Sequence, residues 1–192
     1  GTVSRATERL SQGEIYEFQI AQQRDTQETS YFAMVGDKTA SLISASCKIG
    51  PYIAGVPKNM VDALGKFGEY LGLAFQIADD LLDFTGDPDT MGKPVGTDLR
   101  EGKITLPLIH ALNAASSAER QYVESILRQE ENTDSDWQEV VSFVEKQNGL
   151  STAGKVAENY AIMAQECLEI FEPSPSRSML ETAARLVVER DN

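Results

Sequence analysis

The chain has 192 residues, enough for one sizeable hydrophobic core and within the usual range of a single domain. Thirty acidic against seventeen basic residues give a formal charge of −13. Such a field repels phosphate unless lysines are locally clustered, and so disfavours nucleic acid and anionic membrane as partners. No apolar run approaches the length of a membrane span.

Read in chain order, nearly everything is helical, because the strict apolar/polar alternation of strands never persists beyond a few residues. Gly1-Thr2-Val3-Ser4-Arg5 has no initiating Met and no apolar signal region, which reads as a cleaved tag or a fragment. Residues 3 to about 24 form the first helix, with Leu10, Glu14 and Phe18 on one line and Gly13 beside it. Glu14, a carboxylate on an apolar line, reads as an internal hydrogen-bonding residue. Gly36-Asp37 breaks the pattern, and Asp37 is expected to cap a new helix that runs to about Ile49 and stops at Gly50-Pro51. From about 57 to 84, Met60, Leu64, Phe67, Leu71, Ala74, Ala78 and Leu81 recur in steps of three and four, a buried helix face.

A Gly- and Pro-rich loop is expected over residues 85–102, with Pro107 in the first turn of the next helix. His110 on that helix reads as a surface or packing residue rather than a ligand. Ser116/Glu119 and Ser135/Gln138 have capping-box spacing, Asn148-Gly149 reads as a C-cap, and Pro173-Ser174-Pro175 separates two final amphipathic helices. Cys47 and Cys167 lack Cys-x-x-Cys or Cys/His spacing. Neither a disulfide framework nor a zinc site is expected, and a reducing cytoplasm fits. With no repeat or shift in composition, residues 1–192 read as one all-α unit.

The chemistry is concentrated in Phe75-Gln76-Ile77-Ala78-Asp79-Asp80-Leu81-Leu82-Asp83. At about 100° per residue, Gln76, Asp79, Asp80 and Asp83 share one side of the helix, and Met60, Leu64, Leu71 and Ala78 point nearly opposite. Gly65, Gly68 and Gly72 lie on the aspartate side and allow close approach. Three crowded carboxylates repel one another, and a hard divalent cation relieves that repulsion. Mg²⁺ typically takes one or two carboxylates, waters and substrate phosphates. Lys93 and Lys103 follow the acidic cluster, and Lys38-Thr39 is expected to open a helix whose N-terminal amides favour anions. Basic residues flanking an acidic cluster suggest a diphosphate held between metal and lysine. The segment 87–98 lacks the ligand set of a calcium-binding EF-hand, and Gly86 to Lys93 lacks the spacing of a P-loop.

As an ordered set these residues resemble the trans-isoprenyl (polyprenyl) diphosphate synthase family. Phe75-Gln76, Asp79-Asp80-Leu81-Leu82-Asp83, Gly92-Lys93 and residues 98–107 match its second aspartate-rich region. Lys38-Thr39 and Gly13-Glu14 match two upstream motifs, so the resemblance covers roughly residues 10–112. It implies the C-terminal part of an isoprenoid-synthase helical bundle, dimeric when complete. It also implies that Asp79, Asp80 and Asp83 hold Mg²⁺ against an allylic prenyl diphosphate. Phe75 would belong to the same substrate site. Lys38, Lys93 and Lys103 would neutralise the diphosphate, while Thr39 and Gln76 turn dipoles toward the allylic cation that isopentenyl diphosphate attacks.

The family's first aspartate-rich motif, its isopentenyl diphosphate site and its chain-length determinants match nothing in these residues. The chain alone is therefore expected to be inert. It reads as a fragment of a longer synthase, or as a subunit whose partner supplies the missing motif, with helix faces left bare for that other half. A non-catalytic or regulatory helical subunit is the competing reading, which an intact aspartate–lysine set argues against. Terpene cyclases carry similar metal clusters, but the Lys-Thr and Glu-Gly-Lys segments favour elongation.

Overall fold

The structure, a computed structural model, describes residues 1–86, 95–129 and 131–189. It is all-α, with no strand among the described residues. Helix α1 (Thr2–Gln23) ends on Arg24, which takes up a left-handed conformation (φ 53°) and closes the helix on the carbonyls of Ala21 and Ile20. Helix α2 (Glu28–Val35) continues through a π-turn (Gly36–Ala40) into α3 (Ser41–Ile53). The expected break at Gly36-Asp37 is thus absent: Asp37 sits inside the π-turn and caps nothing. Its side chain instead accepts from Arg9 Nε at 2.6 Å, which ties α1 to this rod. Pro51 likewise lies within α3 rather than ending it, so the helix runs on to Ile53 although Pro51 has no amide to give to the preceding turn.

Helix α4 (Lys58–Thr85) is the axis of the fold, packed along α3 on one side and along α9 (Gly149–Glu166) on another. Between these come α5 (Thr97–Arg100), α6 (Leu106–Ala114), α7 (Ser117–Leu127) and α8 (Asp134–Lys146), and α10 (Pro175–Val188) closes the chain. Short α5 interrupts what the sequence presents as loop. Because α4 has neighbours on several sides, its expected division into a packed seam and a carboxylate face is incomplete: Phe67, Ala74 and Ala78 are buried on the seam, but so are Ile77, Asp80 and Phe84. Helix α6 is apolar nearly all round and is buried accordingly, with Leu106, Leu108, Ile109 and Leu112 in the main core. His110 turns its Nδ1 to Thr152 Oγ1 at 2.9 Å, a packing contact between α6 and α9.

The capping box at Ser116/Glu119 is present. The second box is formed by Thr133 and Asp136 rather than by Ser135 and Gln138, since α8 begins two residues earlier than expected. At the α8–α9 junction it is Asn148 that adopts the left-handed conformation (φ 57°). Gly149 serves close approach instead, because a Cβ there would lie 2.3 Å from the Pro107 carbonyl oxygen. Both cysteines are free and half-buried.

Glycines set how closely the helices that carry the site approach each other. A Cβ on Gly72 would lie 2.6 Å from Ala40 Cα, and one on Gly68 2.8 Å from the Ile43 carbonyl oxygen, so α4 rests directly on the π-turn and on α3. On the other flank a Cβ on Gly13 would lie 2.4 Å from the Lys38 amide nitrogen. Ile15 and Phe18 of α1, with Leu42, Ile49, Tyr52 and Ile53 of α3, are exposed. Gly13→Ala gains about 1 kcal/mol of helix propensity but drives a methyl into backbone, an overpacking cost of about 1–3 kcal/mol. The expected outcome is a net loss of stability, read as a lower urea midpoint at unchanged m-value.

Candidate active site

The two cations of the site are set on rigid segments: Lys38 on the π-turn that Gly13 and Gly72 bracket, and Lys103 on the stretch between α5 and α6. With Glu17 of α1, Asp79 and Asp80 of α4, and Asp98 of α5, they line a cavity of about 270 Å³. A larger depression, about 660 Å³, lies between α1 and α3, but Arg9 on its wall is already committed to Asp37 and the Gly36 carbonyl. The smaller cavity is the candidate site because it gathers charges of both signs around carboxylates that are poorly compensated.

Asp80 is the centre of that arrangement. It is 4% exposed. Tyr31 Oη donates to its Oδ2 at 2.6 Å and Gln76 Nε2 to its Oδ1 at 2.9 Å. Thr39 Oγ1 in turn donates to Gln76 Oε1 at 2.9 Å, which fixes the Gln76 amide with its nitrogen toward the carboxylate. Burial pushes the Asp80 carboxyl up to about 7; the two hydrogen bonds oppose this, and the charges of Asp98 and Asp79 add to it. Burial and the Asp80 charge raise the Tyr31 phenol well above its usual range, so it stays a donor. Asp83 accepts from the Asp98 amide at 3.1 Å, yet burial and the Asp98 charge lift it to about 6.

The lysines are paired rather than free. Lys38 Nζ lies 2.6 Å from Glu17 Oε2 and 3.6 Å from Glu14 Oε1. It does not open a helix, as the sequence suggests, but stands mid-rod in the π-turn, so no helix N-terminus reinforces it. Lys103 Nζ lies 2.7 Å from Asp98 Oδ1 and 2.9 Å from Glu101 Oε2. Burial would lower its pKa, but hydrogen bonds to these two carboxylates outweigh burial and raise it.

The structure therefore brings together Lys38, Thr39, Gln76, Asp79, Asp80 and Lys103. Asp83 lies one turn further along α4 and is tied to the start of α5. Phe75 is half-buried and is not among the residues that line the cavity. Lys93 lies outside the described residues. Tyr31 and Glu17 were not singled out from the sequence, and Asp98 only as the first residue of a matching motif. Tyr31 lies seven positions before Lys38, two turns up the same rod, and Glu17 one turn beyond Glu14; that spacing was the available signal.

Among the described residues no three Asp, Glu, His or Cys groups form a ready-made metal cage. The donor set nonetheless fits a hard cation, because four carboxylates and two lysines line the cavity and all its acidic donors are oxygens. Two aspartates with raised pKa values mark negative charge that the protein's own groups do not neutralise.

An all-helical fold around a cavity lined by carboxylates and lysines defines the class, a helical-bundle protein with a polar internal site. Residues 1–144 match the family model described as polyprenyl synthetase. This chain belongs to that family. The match reaches well past residue 112, further than the motifs alone suggest. A short chain isoprenyl diphosphate synthase of Methanothermobacter thermautotrophicus is 35% identical over 184 residues, covering 96% of this chain and 56% of that protein. The heptaprenyl diphosphate synthase component 2 of Geobacillus stearothermophilus is 32% identical over 182 residues, covering 95% and 56%. A polyprenyl synthase of Caulobacter crescentus, solved with calcium and isoprenyl diphosphate, superposes with a TM-score of 0.91 at 32% identity, covering 98% of this chain and 58% of that one. The chain thus spans somewhat over half the length of these relatives. No described helix is long and apolar enough to cross a membrane.

The raised Asp80 carboxyl sets a pH test. The folded state keeps a proton that the unfolded state releases near 3.8, so this stabilisation is full below about 3.8 and is lost as pH rises through about 7. Asp80→Asn, which mimics the protonated form, should match the parent at pH 4. At pH 8 in chelator it should exceed the parent by an amount on the order of a few kcal/mol, as read from urea midpoints.

Proposed function

We propose that this chain supplies the allylic-diphosphate side of a trans-prenyl elongation site. The observation that carries the reading is the buried Tyr31–Asp80–Gln76–Thr39 chain, which places uncompensated carboxylate beside two lysines in one cavity. Asp79, Asp80 and Asp83 would hold Mg²⁺, which when bound supplies Lewis-acid neutralisation of the diphosphate.

The chain's own residues do the rest. Lys38 and Lys103 exchange their present carboxylate partners for diphosphate oxygens, through charge-assisted hydrogen bonds that strengthen as the carbon–oxygen bond breaks. Glu17 and Asp98 hold those ammonium groups in place until ligand arrives. Lys93 joins them on the strength of its motif. Thr39 Oγ1 donates a hydrogen bond to Gln76 Oε1, which leaves lone pairs on the Thr39 oxygen and on Gln76 Oε1 for the positive charge of the allylic carbon. The double bond of isopentenyl diphosphate attacks that carbon, diphosphate departs and a proton is lost, leaving a chain one isoprene unit longer. Phe75, next to Gln76, adds apolar substrate contact.

A further polypeptide segment or partner subunit completes the site. The exposed Ile15, Phe18, Leu42 and Ile49 on α1 and α3 support this reading, as does a relative named as one component of a synthase. We infer a cytoplasmic homodimer for the complete protein.

Calorimetric titration with an allylic prenyl diphosphate tests the site. Binding is expected in Mg²⁺ and not in chelator, and Lys103→Met should weaken it about 10- to 100-fold, the worth of a hydrogen bond to a charged group. Binding that ignores the chelator overturns the reading. The 192-residue chain alone should convert no isopentenyl diphosphate, and measurable elongation from it would sink the partner requirement.

A further inference from the structure

Among the described residues, Thr105 is the one N-cap hydroxyl that caps nothing. It precedes α6 with extended backbone (φ −102°, ψ 165°), the geometry in which a Thr oxygen ordinarily accepts from the second or third helical amide. The second helical residue here is Pro107, which has no amide hydrogen, and Thr105 Oγ1 makes no cap bond to the third. At the starts of α7, α8 and α10, by contrast, Ser116, Thr133 and Ser174 all accept from backbone amides. Thr105 is 5% exposed, and its Oγ1 has no hydrogen-bond partner among the described residues. Buried polar groups are almost always paired, so an orphan of this kind calls for a specific cause. Thr105 lines the same cavity as Lys38, Asp80 and Lys103. It also stands at the N-terminus of a nine-residue helix, where the dipole and unpaired first-turn amides favour negative charge.

We propose that the Thr105 hydroxyl donates a hydrogen bond to an oxygen of bound diphosphate, so that the start of α6 grips the ligand together with Lys38 and Lys103. The inference rests on the diphosphate site proposed above. It adds a hydroxyl whose hydrogen meets no acceptor among the described residues, while Pro107 leaves the oxygen without the amide that would fix it in a capping geometry. Ile104 and Leu106 on either side are buried, which holds the segment in place before ligand arrives.

The test uses inorganic pyrophosphate with Mg²⁺ as probe, the 192-residue chain, and the variants Thr105→Val and Thr105→Ser. The parent should bind. Thr105→Val, which removes only the hydroxyl, should bind about 10-fold more weakly or worse, and Thr105→Ser should stay close to the parent. Without ligand, Thr105→Val should melt at or above the parent's temperature, because it deletes an unpaired buried polar group. If the parent binds and Thr105→Val binds equally well, the inference falls while the diphosphate site stands. A lower melting temperature for ligand-free Thr105→Val would give the hydroxyl a structural partner and also overturn it. If the parent itself shows no Mg²⁺-dependent binding, the site and the inference fail together.

Discussion

A carboxylate kept out of water must be compensated by donors, by a proton or by a cation, and Asp80 has only the first of these in part. Tyr31 and Gln76 give it two hydrogen bonds, which is too few to hold its charge at neutral pH against burial and the neighbouring Asp98 and Asp79. The remaining debt falls on a proton or a metal. The surrounding architecture exists to keep that balance unresolved. Thr39 orients Gln76, the π-turn carries Thr39, and α4 is pressed against the π-turn at Gly72. A looser bundle would admit water to Asp80, lower its pKa and weaken its demand for a cation.

The lysines follow the same logic with opposite sign. In the absence of ligand, Lys38 rests on Glu17 and Glu14, and Lys103 on Asp98 and Glu101. These pairs keep cationic side chains extended into the cavity at modest cost, since half-exposed ion pairs are weak. On the proposed function, a diphosphate would offer each ammonium a denser charge and more acceptor oxygens than its present carboxylate partners.

Much of this was legible in the sequence, and the reasons differ from residue to residue. The three-and-four spacing from Met60 to Leu81 shows a long helix directly, and the Asp79-Asp80-x-x-Asp83 pattern shows which of its faces carries charge. The glycines at 13, 65, 68 and 72 signal close approach but not the neighbour, which only packing reveals. The π-turn was invisible because Gly36-Asp37 has the composition of a helix break. What keeps the helix running is tertiary contact from α1 and α4, which overrides local preference. Tyr31 was missed because its partner lies 49 positions away, and a tyrosine on an apolar face looks like ordinary core. The Thr133/Asp136 box was missed because Ser135/Gln138, two residues on, carries the commoner Ser/Thr-x-x-Glu/Gln pattern.

The π-turn also sets which changes of chain length this region tolerates, in a way that composition does not show. One additional residue is wound into Gly36–Ala40, where α2 and α3 meet in a single rod. A wider turn with one more residue advances the chain by nearly the same angle as an ordinary α-helical turn, so the flanking helices stay close to register. Deleting one residue there would let the rod relax to a uniform α-helix with Tyr31 still facing Asp80. A further insertion has no such slack to draw on and would rotate everything upstream by about 100° relative to everything downstream. Loss of a residue here should therefore be far better tolerated than gain of one.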